Sequence, residues 1–192
     1  MNPVLLEVPP VLETERLVLR MPQPGDGRSV NAAIKASLSE LKPWLGFAQN
    51  DPSVEDTETN TREAHAKFLT RESLRYLIFR KDTNEFVGST GFHNIDWGVP
   101  KFEIGYWIDT RMSGHGYMME AVGKLTDFAL TELKGKRVEI RCESTNGRSR
   151  AIPERLGYVL EGVLRNEDLS VDGERLTDTC VYGKILIEEG RS

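Results

Sequence analysis

Lys101-Phe102-Glu103-Ile104-Gly105-Tyr106-Trp107-Ile108 leads into Arg111-Met112-Ser113-Gly114-His115-Gly116, and an apolar-striped segment then runs to Lys134. In the first part Phe102, Ile104, Tyr106 and Ile108 alternate with Glu103, Gly105 and Trp107, the period of a strand with one face on a core. From Gly116 to Lys134 the period lengthens. Met118, Ala121, Val122, Leu125, Phe128, Ala129 and Leu133 form one helical stripe, and Gly135 is a natural stop. Between strand and helix, two glycines let the backbone turn sharply, so that several N–H groups can converge. The positive end of the following helix faces the same place, which suits a phosphate or pyrophosphate. On spacing alone, an anion cradle and an ordinary strand-to-helix turn both remain open. No Gly-Lys-Ser/Thr follows, which excludes a Walker-type loop, and the glycine spacing does not fit the dinucleotide fingerprint.

Working outward, Arg75 to Arg80 and Glu85 to Asp96 read as a hairpin about Lys81-Asp82-Thr83-Asn84, with Trp97-Gly98-Val99-Pro100 as the next corner. Upstream, a helix is expected from about Val54 to Thr70, with Ser53 and Asp56 as a capping pair. Val30, Ala33, Ile34, Ser37, Leu38 and Leu41 mark another helix face. Glu15 to Arg20 alternates as a strand, ended by Pro22 and Pro24-Gly25-Asp26. Downstream come a short strand at Val138–Cys142, a helix from about Asn146 to Leu156, and two strands, roughly Tyr158–Arg165 and Arg175–Leu186, about Asp172-Gly173. This order predicts a mixed α/β layer with one sheet rather than a regular alternation.

A chain of 192 residues suits a single domain. Its 25 Lys and Arg against 30 Asp and Glu leave a net charge of −5, which offers no electrostatic reason to hold nucleic acid. Cys142 and Cys180 cannot build a disulfide framework, and His65, His93 and His115 are scattered, so no metal is expected. No apolar run approaches membrane-spanning length, and Met1-Asn2-Pro3-Val4 lacks the basic flank of a signal peptide. The expected setting is therefore the cytoplasm, without membrane attachment.

The loop Arg111-Met112-Ser113-Gly114-His115-Gly116 resembles the R/Q-x-x-G-x-G/A loop of the GNAT acetyltransferase superfamily. The strand before it and the helix after it resemble the same family. Asn146-Gly147-Arg148-Ser149-Arg150-Ala151-Ile152-Pro153-Glu154-Arg155-Leu156-Gly157-Tyr158 is similar to that family's N-x-x-S…E-K/R-x-G-F/Y element. Thr14-Glu15-Arg16-Leu17-Val18-Leu19-Arg20 and Leu41-Lys42-Pro43-Trp44 resemble the branch of ribosomal-protein N-terminal acetyltransferases (RimJ/RimL-type). The matches extend over about residues 12–186. They imply one acetyltransferase domain over residues 1–192, with a central mixed, mostly antiparallel sheet flanked by helices.

The resemblance further implies acetyl-coenzyme A as cosubstrate and direct transfer of its acetyl group to a primary amine, either a protein N-terminus or a small molecule. Backbone N–H groups from Met112 to Met118, including Ser113, His115 and Tyr117, would hold the pyrophosphate beside Arg111. Gly114 and Gly116 would allow close approach. The strand end at Trp107 and Ile108 would pair with the pantetheine arm and donate to the oxyanion, with Asn146 on the other side. Glu103 is the candidate general base, directly or through water, against the alternative of a strand carboxylate that faces solvent or pairs with an arginine. Ser149 is the candidate to protonate the leaving thiolate, against a serine bonding its own helix start. Pro153 stands where relatives using a tyrosine acid carry it. Trp44, Phe47 and the stretch from Asp51 to Glu58 are candidate pocket walls. Many relatives pair, which leaves a homodimer open. Two rivals are a coenzyme A sensor without turnover and a nucleotide-phosphate site with magnesium.

Overall fold

The computed structural model describes residues 2–186. The described elements are β1 (Val11–Glu13), β2 (Leu17–Arg20), α1 (Gly27–Ala36), α2 (Leu38–Leu41), α3 (Val54–Thr70), β3 (Leu74–Arg80), β4 (Phe86–Asp96), β5 (Lys101–Ile108), α4 (Tyr117–Thr131), β6 (Arg137–Glu143), α5 (Gly147–Arg155), β7 (Val159–Leu169) and β8 (Leu176–Lys184). The strands form one sheet in the order β1-β2-β3-β4-β5-β6-β8-β7. Every neighbouring pair is antiparallel except β5 and β6. The expected mixed, mostly antiparallel sheet is therefore present.

Alternation along the strands divides the core between two faces. Tyr76 and Ile78 of β3, Phe92 of β4, and Phe102 and Ile104 of β5 join the α4 stripe of Ala121, Val122, Leu125, Phe128 and Ala129. Leu77 and Phe79 of β3 point the other way and, with Phe86, meet Val30, Ala33 and Ile34 of α1. The two faces thus use alternate residues of one strand, as the period of two requires.

Several boundaries differ from the sequence reading; α4 ends at Thr131 rather than Lys134, and β7 runs on to Leu169 rather than Arg165. The helix expected across Val30 to Leu41 breaks at Ser37, which separates α1 from α2. The hydroxyl of this fully buried serine accepts from the Thr110 amide at 2.8 Å and so ties the break to the segment after β5. Strand β1 was not expected; it is three residues long and follows Pro9-Pro10 too closely to show a period. The last strand ends at Lys184 rather than Leu186. By contrast, the Ser53–Asp56 capping box of α3 is present in both directions.

The feature that places the site is a wedge in the sheet. Strand β5 pairs with β6 only through Lys101↔Arg137, Phe102↔Val138 and Glu103↔Glu139, while β6 stays with β8 from Val138 to Glu143. Beyond Glu103, the edge of β5 toward β6 is unpaired among the described residues. At the other end of the sheet, β7 is solvent-exposed along nearly its whole length.

Candidate active site

The glycine loop begins with a self-contained turn. Buried Asp109 accepts from the Arg111 amide at 2.9 Å and pairs with the Arg111 guanidinium at 2.5 Å. Its carbonyl takes the Met112 amide at 2.8 Å, and the Thr110 carbonyl takes the Ser113 amide at 3.1 Å. The expected run of pyrophosphate donors therefore needs correction. Met112 and Ser113 spend their amides on the turn, and Arg111 spends its charge on Asp109.

The amides from Gly114 through Met119 have no acceptor among the described residues. The last of them belong to the first turn of α4, where helix geometry offers no internal partner. Gly114 and Gly116 have φ of +83° and +77°, so the loop takes left-handed backbone twice in three residues. Gly116 caps α4 without any side-chain acceptor. Nothing lies within 4 Å of where a Cβ would stand at Gly114. Free amides, a positive helix end and open approach together fit a diphosphate.

The turn before β2 holds this loop. Arg16 donates from Nη1 to the His115 carbonyl at 3.0 Å and from Nε to Glu120 Oε2 at 2.7 Å, and its guanidinium lies 4.7 Å from the Tyr117 ring centroid. Glu120 also accepts from the Thr14 hydroxyl at 2.5 Å and the Arg16 amide at 3.0 Å. Burial alone would raise the Glu120 pKa, but the Thr14 and Arg16 donors outweigh it and hold the carboxyl below the ordinary range. The rings of His115 and Tyr117 stack at 5.5 Å.

In the wedge, strand geometry decides which amides are free. Asp109 N donates to Val87 O, so Trp107 and Gly105 turn their amides toward β4. The amides of Tyr106 and Ile108 then face the open edge. Of the two residues expected to meet the pantetheine arm, Ile108 offers its backbone there, whereas Trp107 offers its side chain to the opposite face.

The Tyr106 hydroxyl reaches across the wedge to α5, donating to Ser149 O at 2.8 Å and accepting from Ser149 Oγ at 3.2 Å. The reason lies four residues on. Pro153 sits inside α5 and has no N–H to give the carbonyl of Ser149, so that carbonyl is left for the tyrosine. Burial pushes the Tyr106 hydroxyl pKa upward, which keeps it protonated. Asn146 caps α5, its Oδ1 accepting from Ser149 N at 3.1 Å. Nearby Cys142 is pushed up to about 11 by burial, so it holds no thiolate for an acyl-enzyme at neutral pH.

On the face of β5 bearing Glu103, Gly105 and Trp107 lies a cleft of about 420 Å³. Its walls come from α1, α3, β3, β4, β5 and the connections around Pro22, Phe47 and Pro52, and include Asp56, Asn60, Arg75, His93 and Trp107. Phe47 lines the cleft and meets Trp107 with ring centroids 5.9 Å apart. Trp44, expected beside it, does not line the cleft; it follows α2 in a turn closed by its own amide on Leu41 O. From the expected Asp51–Glu58 stretch, Pro52, Asp56 and Thr57 reach the lining.

Glu103 lies at the inner end of this face, and 18% of its side chain is exposed. Its Oε1 lies 3.1 Å from His93 Nε2, and its Oε2 accepts from Asn94 Nδ2 at 2.9 Å. Two successive residues can reach one carboxylate because β4 bulges between His93 and Asp96, where Asn94 takes φ of +47°. Burial raises the Glu103 pKa, but the hydrogen bonds from His93 and Asn94 prevail and set it below the ordinary carboxylate value. An ionised carboxylate only accepts, so His93 Nε2 carries the hydrogen and Nδ1 keeps its lone pair in the neutral ring. The ring lies over Gly105, where a Cβ would stand 3.0 Å from His93 Cε1 and 3.3 Å from Nδ1. His93, which sequence reading set aside as scattered, thus stands between Glu103 and the cleft. No sequence period reveals such a bulge.

A family model for the acetyltransferase (GNAT) domain matches residues 16–159. The chain is 34% identical over 177 residues to "Putative ribosomal N-acetyltransferase YdaF" of Bacillus subtilis (strain 168), covering 91% of this chain and 93% of that protein. It is 28% identical over 153 residues to the ribosomal-protein-serine acetyltransferase of Escherichia coli (strain K12), covering 78% and 83% of the two chains. Among solved structures, RimL, a ribosomal L7/L12 alpha-N-protein acetyltransferase in complex with coenzyme A, superimposes with a TM-score of 0.85 at 23% identity, over 92% of this chain and 98% of that one. The microcin C7 self-immunity acetyltransferase MccE in complex with acetyl-CoA and AMP gives 0.84 at 22%, over 90% and 94%. At these identities the two structures speak for the fold, whereas the family model and the sequence relatives speak for the chemistry. The chain belongs to the GNAT acetyltransferase family and is an N-acetyltransferase.

Proposed function

We propose that this enzyme takes acetyl-coenzyme A along the α4 loop and the β5–β6 wedge and transfers its acetyl group directly to a primary amine held in the cleft on the other side of β5. One observation carries this reading: the unpaired edge of β5 lies between a cradle of free amides and a walled cleft. The amides from Gly114 to Met119 hold the pyrophosphate. Those of Tyr106 and Ile108 meet the pantetheine arm and stabilise negative charge on the thioester oxygen, and the Asn146 side chain borders the same arm.

The incoming ammonium loses a proton to His93 Nδ1, either directly or through water. Glu103 holds the ring and stabilises the imidazolium that forms. The amine nitrogen bonds to the carbonyl carbon and sheds its second proton, the carbon–sulfur bond breaks, and the departing thiolate takes a proton from Ser149 Oγ, beside the Tyr106 hydroxyl, while the proton shed by the nitrogen passes through water to restore the serine hydroxyl. The names of the ribosomal relatives support a protein N-terminus as acceptor.

The direct test is release of coenzyme A from acetyl-coenzyme A, with and without a panel of peptides of varied N-terminus and of small amines. Release that depends on an amine, with acetylated product identified by mass, is the expected result. Acetyl-coenzyme A binding without transfer to any acceptor would favour a sensor, and an absence of binding would sink the reading.

A further inference from the structure

Among the partly buried arginines of the described residues, two lack an anionic partner, and only one of these is also without a set of carbonyl acceptors. Arg20, Arg80, Arg137, Arg141 and Arg150 each reach a carboxylate at 2.5–3.3 Å. Arg71 gives its donors to the carbonyls of Leu6 and Phe68. Arg75 lines the cleft, yet its hydrogen-bond partner is the neutral Oδ1 of Asn60, at 2.7 Å from Nη1. No carboxylate lies within salt-bridge distance of it among the described residues, and Glu63, further along α3, acts on it only at longer range. A partly buried guanidinium without a counter-charge carries a desolvation cost in the free protein, and it presents a planar fork suited to a carboxylate. Burial already works against its charge. The one carboxylate among the lining residues, Asp56, is closed on Ser53 by the capping box.

The backbone register sets the reach. Arg75 pairs with Gly91, and Gly91 with Gly105, beneath the His93 ring. Two strand spacings, about 10 Å, therefore separate the Arg75 backbone from the place where the amine would react. A long side chain crosses part of that distance, and the acceptor must cross the rest.

We propose that Arg75 is a carboxylate-binding subsite for the acceptor, so that the preferred amines carry a carboxylate a few bonds from the reacting nitrogen. This rests on the acceptor reading of the cleft. The carboxylate comes either from an acidic side chain close to a peptide N-terminus or from the carboxyl group of a small amino acid, and the same chemistry serves both.

The test compares kcat/KM within matched pairs: peptides differing only by Asp or Asn at the second, third or fourth position, and free amino acids against their amides. With the wild-type enzyme, the carboxylate member of at least one series is expected to be better by about 10- to 100-fold, and which series responds identifies the source. In Arg75→Gln that difference should vanish. In Arg75→Lys, which keeps the charge and loses the fork, part of it should remain. Acetyl-coenzyme A titration of each variant establishes that the donor half is folded. Equal kcat/KM within every pair for the wild type, or a preference that survives in Arg75→Gln, would overturn the subsite. Failure of the wild type to acetylate any acceptor while still binding acetyl-coenzyme A would overturn the acceptor reading, and the subsite with it.

Discussion

The donor and acceptor halves of this enzyme are built in opposite ways. The loop proposed for the pyrophosphate is continuous in sequence: a turn closed by Asp109, two left-handed glycines and the first turn of α4 supply it from one short segment. The cleft draws its walls from five elements and their connections between Pro22 and Trp107. Backbone amides recognise a group common to every reaction cycle and need no particular side chain beyond glycine. The cleft works through side chains, and those come together only when α1 and α3 close over the sheet. A local site tolerates much change elsewhere but little within itself, and the composite site shows the reverse.

The sharpest way to break this contrast is to strike the loop. Gly114→Asp or Gly116→Glu puts a side chain on left-handed backbone and a negative charge where a diphosphate is proposed to bind. Acetyl-coenzyme A binding measured by titration should fall by more than about 10³-fold, since several charge-assisted hydrogen bonds, each contributing about 1.5–3 kcal/mol, would be lost together. Near-normal binding would remove the loop from the donor site.

Next in size is the proton path. Glu103→Gln and His93→Ala should each slow turnover by about 10²- to 10⁴-fold with little change in acetyl-coenzyme A affinity, as expected for general-base machinery. If the two act as one unit, the double variant should be no slower than the worse single variant. Unchanged rates for Glu103→Gln at every pH would leave that carboxylate a purely structural role.

The anchor that holds the loop to the turn before β2 should show a smaller effect. Arg16→Ala is expected to raise the KM for acetyl-coenzyme A about tenfold by freeing the His115 carbonyl and Glu120. Glu120 also makes this anchor acid-sensitive. Its folded pKa lies below the ordinary 4.5, so its contribution to stability is present above that value and is lost as pH falls through the folded pKa. Thermal unfolding of Glu120→Gln should accordingly lose part of the wild-type decline below about pH 4.5. The smallest effect should come from Pro153→Ala. It restores an N–H that competes with Tyr106 for Ser149 O, and a change in kcat of roughly threefold or less is expected, with the helix itself stabilised.

Much of this was legible in residue order. Alternation in Lys101–Ile108, the stripe of α4 and the Ser53–Asp56 cap are local patterns, and the elements formed where those patterns lie. The glycine loop was legible for the same reason, since conformation and donors both belong to the backbone of one segment. Tertiary structure decided the rest. It spent the amides of Met112 and Ser113 on a turn, left Trp44 outside the cleft, and bent β4 so that His93 and Asn94 share Glu103. It also brought a proline-freed carbonyl under the Tyr106 hydroxyl and, among the described residues, left Arg75 bonded to Asn60 rather than to a carboxylate. Residue order carries periodicity and backbone freedom, which act over a few positions. Partners that meet across strands and helices depend on register, bulges and packing, and these exist only once the chain has closed.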